Sequence, residues 1–365
     1  MVGELAGKKN IVKEMGMKKV LIAGLGSIGQ RHSRCLKEIY GDAVELHAFR
    51  SRGLNHIIND NMTTVKDTSP IKHYGIIEHS DLDEALSHKM DAVFVTNPPD
   101  LHIPTALTAV KAGVNVFIEK PISGNNFDGL GELVIETEKK GVVCMVGHQL
   151  RYHAITKRIK EIIDKELLGI LTSSELFFAE YLPGMHPYED YRTSHAAWEE
   201  RGGGTILSLN HDIDIACYLL GLPNRLFCMG GKLSSLEMNT EDTAHILMNI
   251  SREGKNMNVH LWLDFVQRPT RRFWMITGDN GSLHADLVNN VLKVDTYNSG
   301  KHETIEEDFS SFQRNNMYID EIKDFFNAIE NKTPSPLGLE EAYAIHKVSF
   351  AAKKSLESGN PVNFN

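Results

Sequence analysis

The apolar run Val20–Ala23 leads directly into Gly24-Leu25-Gly26-Ser27-Ile28-Gly29, and an amphipathic stretch follows. Between a buried strand and a helix, each glycine at this spacing has its own task. Gly24 permits the tight turn, Gly26 lets the main chain approach a pyrophosphate, and Gly29 lets the helix pack closely on the strand. The phosphates then meet the amide groups that open the helix, at Ser27 and Ile28, where the helix dipole is positive. Dinucleotide binding is the implied chemistry.

The next apolar run, Leu46-His47-Ala48-Phe49, ends in Arg50-Ser51-Arg52, where a dinucleotide fold commonly carries a carboxylate for the adenosine ribose. Guanidinium forks and a hydroxyl pair with a 2′-phosphate, so NADP is the favoured cofactor and NAD the alternative. Thr96-Asn97-Pro98-Pro99-Asp100-Leu101-His102 follows the run Ala92–Thr96, at the carboxyl edge of the sheet where ligands of open α/β folds bind. Thr96, Asn97, Pro98 and His102 are expected to line the cofactor. Further on, Arg151 can clamp a carboxylate or phosphate, or form an interdomain ion pair, and Tyr152 lies beside it. The stretch from Tyr181 to Arg192 mixes aromatic, imidazole, carboxylate and guanidinium groups, among them Tyr181, His186, Tyr188 and Arg192. Such a mixture suits a polyhydroxylated ligand.

These residues need a scaffold, and the hydrophobic pattern supplies one. Short β-rich runs at 20–23, 45–49, 92–96, 115–118 and 142–146 alternate with helical patterns at 29–40, 81–87, 104–112 and 126–139, which implies parallel βαβ units. After His148 the runs at 171–179, 225–230, 244–250, 257–265, 273–277 and 282–285 follow one another with turns between, as in an antiparallel sheet. Glu253-Gly254 and Asp279-Asn280-Gly281 read as hairpin turns. Helices are expected at 154–165, 210–220, 317–327 and 339–358. The fold class is therefore α/β: an N-terminal Rossmann domain with a parallel sheet, 17–148, and a C-terminal α+β domain with a large, mostly antiparallel open sheet, 149–365. Residues 1–16 are polar and aperiodic and read as a disordered extension; the last helix is expected to pack back on the Rossmann domain.

At 365 residues, two domains is the natural expectation. A net charge of −9 argues against a phosphate-backbone binder, so nucleic acid is not an expected partner. Arg268, Arg271 and Arg272 form a local basic cluster, either a small-anion site or a solvated strand end. Cys35, Cys144, Cys217 and Cys228 show no zinc or disulfide spacing and read as reduced and mostly buried. The 17 histidines form no ligand spacing either, so no metal is expected. No apolar stretch suits a membrane span or a signal peptide, which makes the cytoplasm the expected location.

Phe117-Ile118-Glu119-Lys120-Pro121, taken with the glycine motif and the TNPPDLH segment, closely resembles the glucose-fructose oxidoreductase/inositol dehydrogenase (Gfo/Idh/MocA) family. The resemblance extends through Gly202-Gly203-Gly204 to His211 and Asp214, and to the segment starting at Met317, so it covers essentially Met17 onward. It implies an active site between the two domains and a homodimer or homotetramer built through the C-terminal open sheet. Glu119 and Lys120 would reach the cofactor, and Lys120 would also hydrogen-bond the reacting hydroxyl, where an ammonium stabilises a developing alkoxide. His211 matches the family's acid/base, with Asn210 beside it at the substrate. Many relatives carry an aspartate one turn before this histidine, whereas Leu207 and Ser208 stand here. Asp212 and Asp214 are near in sequence, Asp214 as a domain contact. The 181–192 stretch resembles a loop in a family branch linked to surface-polysaccharide and acidic-sugar biosynthesis.

The resemblance thus implies hydride transfer to or from a secondary hydroxyl carbon of a sugar, sugar acid or nucleotide sugar. A cyclitol dehydrogenase of the inositol type is a second reading. A non-catalytic NAD(P) or sugar sensor is the third, favoured by the missing aspartate and opposed by the presence of both Lys120 and His211.

Overall fold

The computed structural model describes residues 17–50, 53, 56–124, 126–298 and 300–364. The 1–16 extension, Ser51 and Arg52 lie outside the described residues. The chain forms two compact units. One runs to Gly147 and includes Tyr318–Glu340; the other comprises His148–Met317 and Glu341–Asn365.

The first unit contains β1 (Lys18–Ala23), β2 (Val44–Phe49), a short hairpin of β3 (Ile57–Ile58) and β4 (Thr64–Val65), β5 (Ile77–His79), β6 (Ala92–Val95), β7 (Asn115–Glu119) and β8 (Cys144–Gly147). Six of these form one parallel sheet in the order β5-β2-β1-β6-β7-β8, the doubly wound order of a Rossmann fold. Helices α1 (Ser27–Tyr40), α2 (Pro70–Tyr74), α3 (Leu82–Ser87), α4 (His102–Lys111) and α5 (Leu130–Lys140) connect the strands. All four residues of β6 and of β8 are buried, as parallel strands covered on both faces require.

The second unit contains α6 (Ala154–Asp164), β9 (Leu171–Ala179), α7 (Leu182–Met185), α8 (Thr205–Ser208) and α9 (His211–Leu220). Strands β10 (Pro223–Gly231), β11 (Thr243–Arg252), β12 (Lys255–Asp264), β13 (Arg271–Gly278), β14 (Gly281–Asp286), β15 (Val291–Asn298) and β16 (Lys301–Asp308) follow. After α10 (Asn315–Asn331) and α11 (Leu339–Ser358), the short β17 (Val362–Asn363) completes a nine-stranded sheet, β16-β15-β14-β13-β9-β12-β11-β10-β17. The hairpin turns fall where expected, with Glu253 and Gly254 both at positive φ between β11 and β12. One pair, β9 with β12, is parallel, because the chain crosses over through α7 to α9 before returning beside β9.

Two sequence expectations differ from the fold. The helix that joins the first unit is α10 from Tyr318 onward, while α11 belongs from Glu341 to the second. The reason is aromatic: Phe325 of α10 stands edge-on to Phe94 and Phe117, both ring pairs 5.7 Å apart, and Phe94 stacks on Phe117 at 4.8 Å. The sequence pattern also missed β15 and β16. In β16, Lys-His-Glu-Thr-Ile-Glu-Glu-Asp, nearly every residue is exposed, so an edge strand there shows no apolar alternation.

Candidate active site

In the first unit the glycine motif forms a closed cradle. Gly24 has φ +104°, and a Cβ there would stand 2.6 Å from the Asn97 amide nitrogen. A Cβ on Gly29 would stand 2.1 Å from the Gly24 carbonyl oxygen. Either substitution would force main-chain segments apart. A Cβ on Gly26, by contrast, meets nothing within 4 Å among the described residues, none of whose side chains caps the helix that Gly26 opens. Open space over an uncapped fourteen-residue helix fits a pyrophosphate. Thr96 ties the cradle together by donating its hydroxyl to the Gly24 carbonyl at 2.5 Å.

His102 is buried, with Nδ1 2.7 Å from the Pro121 carbonyl and Nε2 2.9 Å from the Asn97 carbonyl. Burial, the largest influence, pushes its pKa down despite these carbonyls. Rather than facing a ligand, His102 joins the TNPPDLH loop to the loop after β7. Asn97 donates through Nδ2 to the Thr105 hydroxyl at 2.9 Å, while Pro98 is exposed at the loop surface.

Glu119 ends β7 and is buried; its Oε1 lies 2.7 Å from His32 Nε2, and its Oε2 accepts from the Lys120 amide at 3.2 Å. Burial opposes ionisation of Glu119. The hydrogen bond and charge from His32, with Lys120 nearby, outweigh it and hold the carboxyl below its usual range. Lys120 follows, half-buried, with a cis bond to Pro121. At the end of β2, Arg50 Nε donates to Glu78 Oε1 at 2.6 Å.

In the second unit, the Gly202-Gly203-Gly204 turn has a physical requirement for glycine. A Cβ on Gly203 would stand 2.6 Å from the His195 carbonyl oxygen, and Gly204, at φ +94°, has the Glu241 carboxylate 2.2 Å from where its Cβ would be. Glu241 in turn accepts from the Ile206 amide at 3.0 Å, fixing the turn that leads to His211. His211 begins α9, half-buried, and Gln149 Nε2 lies 3.3 Å from His211 Nε2. In this orientation the amide nitrogen donates, so His211 Nε2 is the acceptor of the pair. Thus Gln149, a residue without an expected role, holds the imidazole, while Ser208 is buried in the preceding turn. Asn210 is buried too, and its carbonyl accepts from the Asp214 amide at 2.9 Å.

Arg151 is committed within its own unit. It donates to Asp214 through Nε at 3.1 Å and Nη2 at 2.7 Å and to Glu341 through Nη1 at 2.7 Å, and it lies 4.5 Å over the Tyr218 ring. Asp214 is fully buried, with His148 Nδ1 at 3.3 Å, and although burial opposes it, His148 and Arg151 hold its pKa down. The expectation that Asp214 makes a domain contact, and that Arg151 is a substrate clamp or an interdomain pair, gives way to a fork-to-carboxylate pair between two residues of the second unit. Asp212, equally buried, accepts from Arg272 Nη2 at 2.6 Å and from the Trp274 indole at 2.9 Å, anchoring α9 on β13. The basic cluster is accordingly divided: Arg272 belongs to Asp212, and Arg268 stacks on Tyr181 at 4.0 Å.

The 181–192 stretch folds on itself. His186 stacks on Tyr188 at 5.4 Å and contacts Glu189 at 3.1 Å, while Arg192 pairs with Asp190 at 2.7 Å and Glu237 at 3.3 Å. The half-buried Tyr152 lies 5.5 Å from the Lys157 ammonium.

A doubly wound parallel sheet whose first turn is a glycine cradle over an open helix end defines an NAD-binding Rossmann protein, here joined to a large mixed sheet. Residues 18–148 match the model of the oxidoreductase family with an NAD-binding Rossmann fold, and residues 156–284 match the GFO/IDH/MocA C-terminal domain. The chain belongs to the Gfo/Idh/MocA oxidoreductase family. It is similar to a myo-inositol 2-dehydrogenase of Thermotoga maritima, 25% identical over 352 residues, which are 94% of this chain and 98% of that protein. In fold it is similar to myo-inositol 2-dehydrogenase from Lactobacillus plantarum (TM-score 0.75, 20% identity, covering 95% of this chain and 99% of that one). The same holds for the WlbA dehydrogenase from Bordetella pertussis, solved with NADH and UDP-GlcNAcA (TM-score 0.74, 16% identity, 96% and 98% covered). Among the described residues, no helix is long and apolar enough to cross a membrane.

Proposed function

We propose that this protein is an NAD(P)-dependent dehydrogenase or reductase acting on a secondary hydroxyl carbon of a sugar, sugar acid or nucleotide sugar. When bound, the nicotinamide supplies the hydride acceptor or donor. For oxidation, His211 Nε2 would take the hydroxyl proton and Lys120 would stabilise the charge building on oxygen. The observation that carries this reading is the contact at His211: Nε2 accepts from Gln149 and is thereby kept unprotonated, and its lone pair passes to the substrate hydroxyl when the Gln149 amide turns away. Once Nε2 is protonated, the amide oxygen of Gln149 can serve it as acceptor after rotation, so one side chain attends both states.

NADP is favoured by Arg50, whereas Glu78 beside it is the kind of group that disfavours a 2′-phosphate and favours NAD. A cyclitol substrate is the second reading, favoured by the likeness to myo-inositol 2-dehydrogenase over 94% of the chain. Assembly through the open sheet is supported by a face on which Met229, Leu247 and Met275 are 62%, 54% and 40% exposed. The four cysteines are unpaired and buried, which suits a reducing cytoplasm.

The test is a panel of free sugars, sugar acids, nucleotide sugars and cyclitols, each assayed with NADP and with NAD by the absorbance of the reduced nicotinamide. Turnover of a sugar class that disappears in His211→Ala supports the proposal. Turnover of cyclitols alone favours the second reading, and calorimetry showing neither nucleotide binding at millimolar concentration overturns both.

A further inference from the structure

At the β5 edge of the parallel sheet, five titratable side chains form one continuous set of contacts. Glu45 Oε1 lies 2.9 Å from His47 Nε2, His47 Nδ1 lies 2.8 Å from His79 Nε2, and His79 Nδ1 lies 3.1 Å from Glu84 Oε1. His88 Nε2 stands 3.8 Å from the same Glu84 oxygen. Strand β2 contributes Glu45 and His47 from one face, the end of β5 contributes His79, and α3 with its C-cap contributes Glu84 and His88 one turn apart. The two inner imidazoles are buried, whereas Glu84 and His88 open to solvent at 54% and 46%.

Counting protons exposes a deficit. Two carboxylates joined through two imidazoles make three contacts, each of which needs a hydrogen, and two neutral rings carry only two. If Glu45 accepts from His47 Nε2–H, then His47 Nδ1 accepts from His79 Nε2–H, and His79 Nδ1 faces Glu84 lone pair to lone pair. Either a third proton sits on a ring or on a carboxyl group, or a metal cation takes that place. A metal ion makes use of what a proton would leave idle, namely His88 poised beside the same oxygen.

We propose that His79 Nδ1, Glu84 and His88 Nε2 bind a divalent transition ion of the zinc type, with Glu45 and His47 as hydrogen-bonded support behind His79. One donor atom from each of the three residues lies within 4.8 Å of the others. Tetrahedral donors at zinc distances stand about 3.4 Å apart, which the two edges to Glu84, 3.1 and 3.8 Å, bracket, and the third edge is closed by turning the exposed His88 toward His79. Two imidazoles and a carboxylate suit zinc, whereas calcium and magnesium prefer all-oxygen shells. The carboxylate behind the ligating imidazole, here relayed through a second ring, fixes the tautomer that leaves His79 Nδ1 unprotonated. The ion clamps α3 to a three-residue edge strand whose Glu78 holds Arg50, a structural role separate from the proposed reaction.

The test uses untagged full-length protein, stripped of metal with a chelator and titrated with zinc chloride in a calorimeter, with thermal unfolding followed in parallel. One ion per chain and a raised Tm are expected. Glu84→Gln and His88→Ala, both at exposed positions, should leave the Tm of the metal-free protein unchanged while weakening zinc binding at least about tenfold, and His47→Gln should weaken it about 10- to 100-fold. The absence of a stoichiometric zinc isotherm overturns the proposal. So does wild-type affinity in either Glu84→Gln or His88→Ala, which would place the zinc on other histidines.

Discussion

His32 and Glu119 meet at 2.7 Å with the imidazole wholly buried, joining the first Rossmann helix to the end of the strand that carries Lys120. His32 is set among Phe94, Phe117 and Tyr318, at ring distances of 5.2, 5.2 and 5.9 Å, and its Nδ1 has no hydrogen-bond partner among the described residues. The bond to Glu119 therefore uses the polar side of a ring that is otherwise packed as a hydrophobe. Removing His32 leaves a buried carboxylate without its strongest partner.

His32→Ala is expected to cost about 3–5 kcal/mol of stability, the range for one member of a buried pair, read as a lower midpoint in urea unfolding. The effect should also depend on pH. Because the folded-state pKa of Glu119 is depressed, its contribution is complete above the unfolded value of about 4.3 and fades as pH falls through the folded value. Wild type and His32→Ala should thus converge in stability on acidification. A constant gap down to the acid transition would contradict the assignment.

Lys120→Met is expected to abolish turnover while leaving cofactor affinity nearly unchanged, since the ammonium acts mainly on charge that develops in the transition state. Nucleotide titration by intrinsic fluorescence, beside the steady-state assay, separates the two effects. Parallel loss of nucleotide binding would remove Lys120 from the proton-handling role.

Arg50→Ala should weaken NADP much more than NAD, because only NADP presents a phosphate to the guanidinium. Since Glu78 pairs with Arg50, Glu78→Gln is expected to act in the opposite direction and improve NADP binding. Equal changes for both nucleotides in Arg50→Ala would refute the phosphate contact.

Arg151→Ala distinguishes a structural fork from a substrate clamp. With Asp214 fully buried, the variant is expected to lose about 3–5 kcal/mol of stability. At temperatures where it remains folded, KM should change little. A large rise in KM with unaltered unfolding would restore the clamp.

What the sequence made legible follows from the range over which each signal acts. The glycine cradle is readable because its three glycines lie within six residues of chain and a strand–helix context announces them. His32, three residues beyond Gly29, was not, because its partner Glu119 is 87 positions away and nothing local distinguishes a buried acceptor from a surface one. The same distance hid the pairing of Arg151 with Asp214, 63 positions apart, and left its two alternatives open. His79, Glu84 and His88 do lie close in sequence, yet their convergence depends on a three-residue edge strand too short to leave a hydrophobic pattern. Strand β16 failed for the related reason that an exposed edge has no inside to mark.

Ser208 stands one turn before His211, where the family resemblance leads one to expect an aspartate. If an aspartate were required to orient His211, this chain would be a poor catalyst, but Gln149 reaches the same ring at 3.3 Å from the segment that follows β8. An amide differs from a carboxylate in one respect: it carries no charge and so does not favour the imidazolium over the neutral ring. Gln149→Leu removes the orientation without adding charge, and kcat should fall between about tenfold and a hundredfold with little change in KM, as expected for a misplaced proton acceptor. Gln149→Glu cannot donate to the neutral ring but accepts from it once protonated and adds charge, so it should move the acidic limb of the pH–kcat profile to higher pH, because the carboxylate stabilises the protonated ring. A merely structural Gln149 would lower stability in both variants and leave that limb in place.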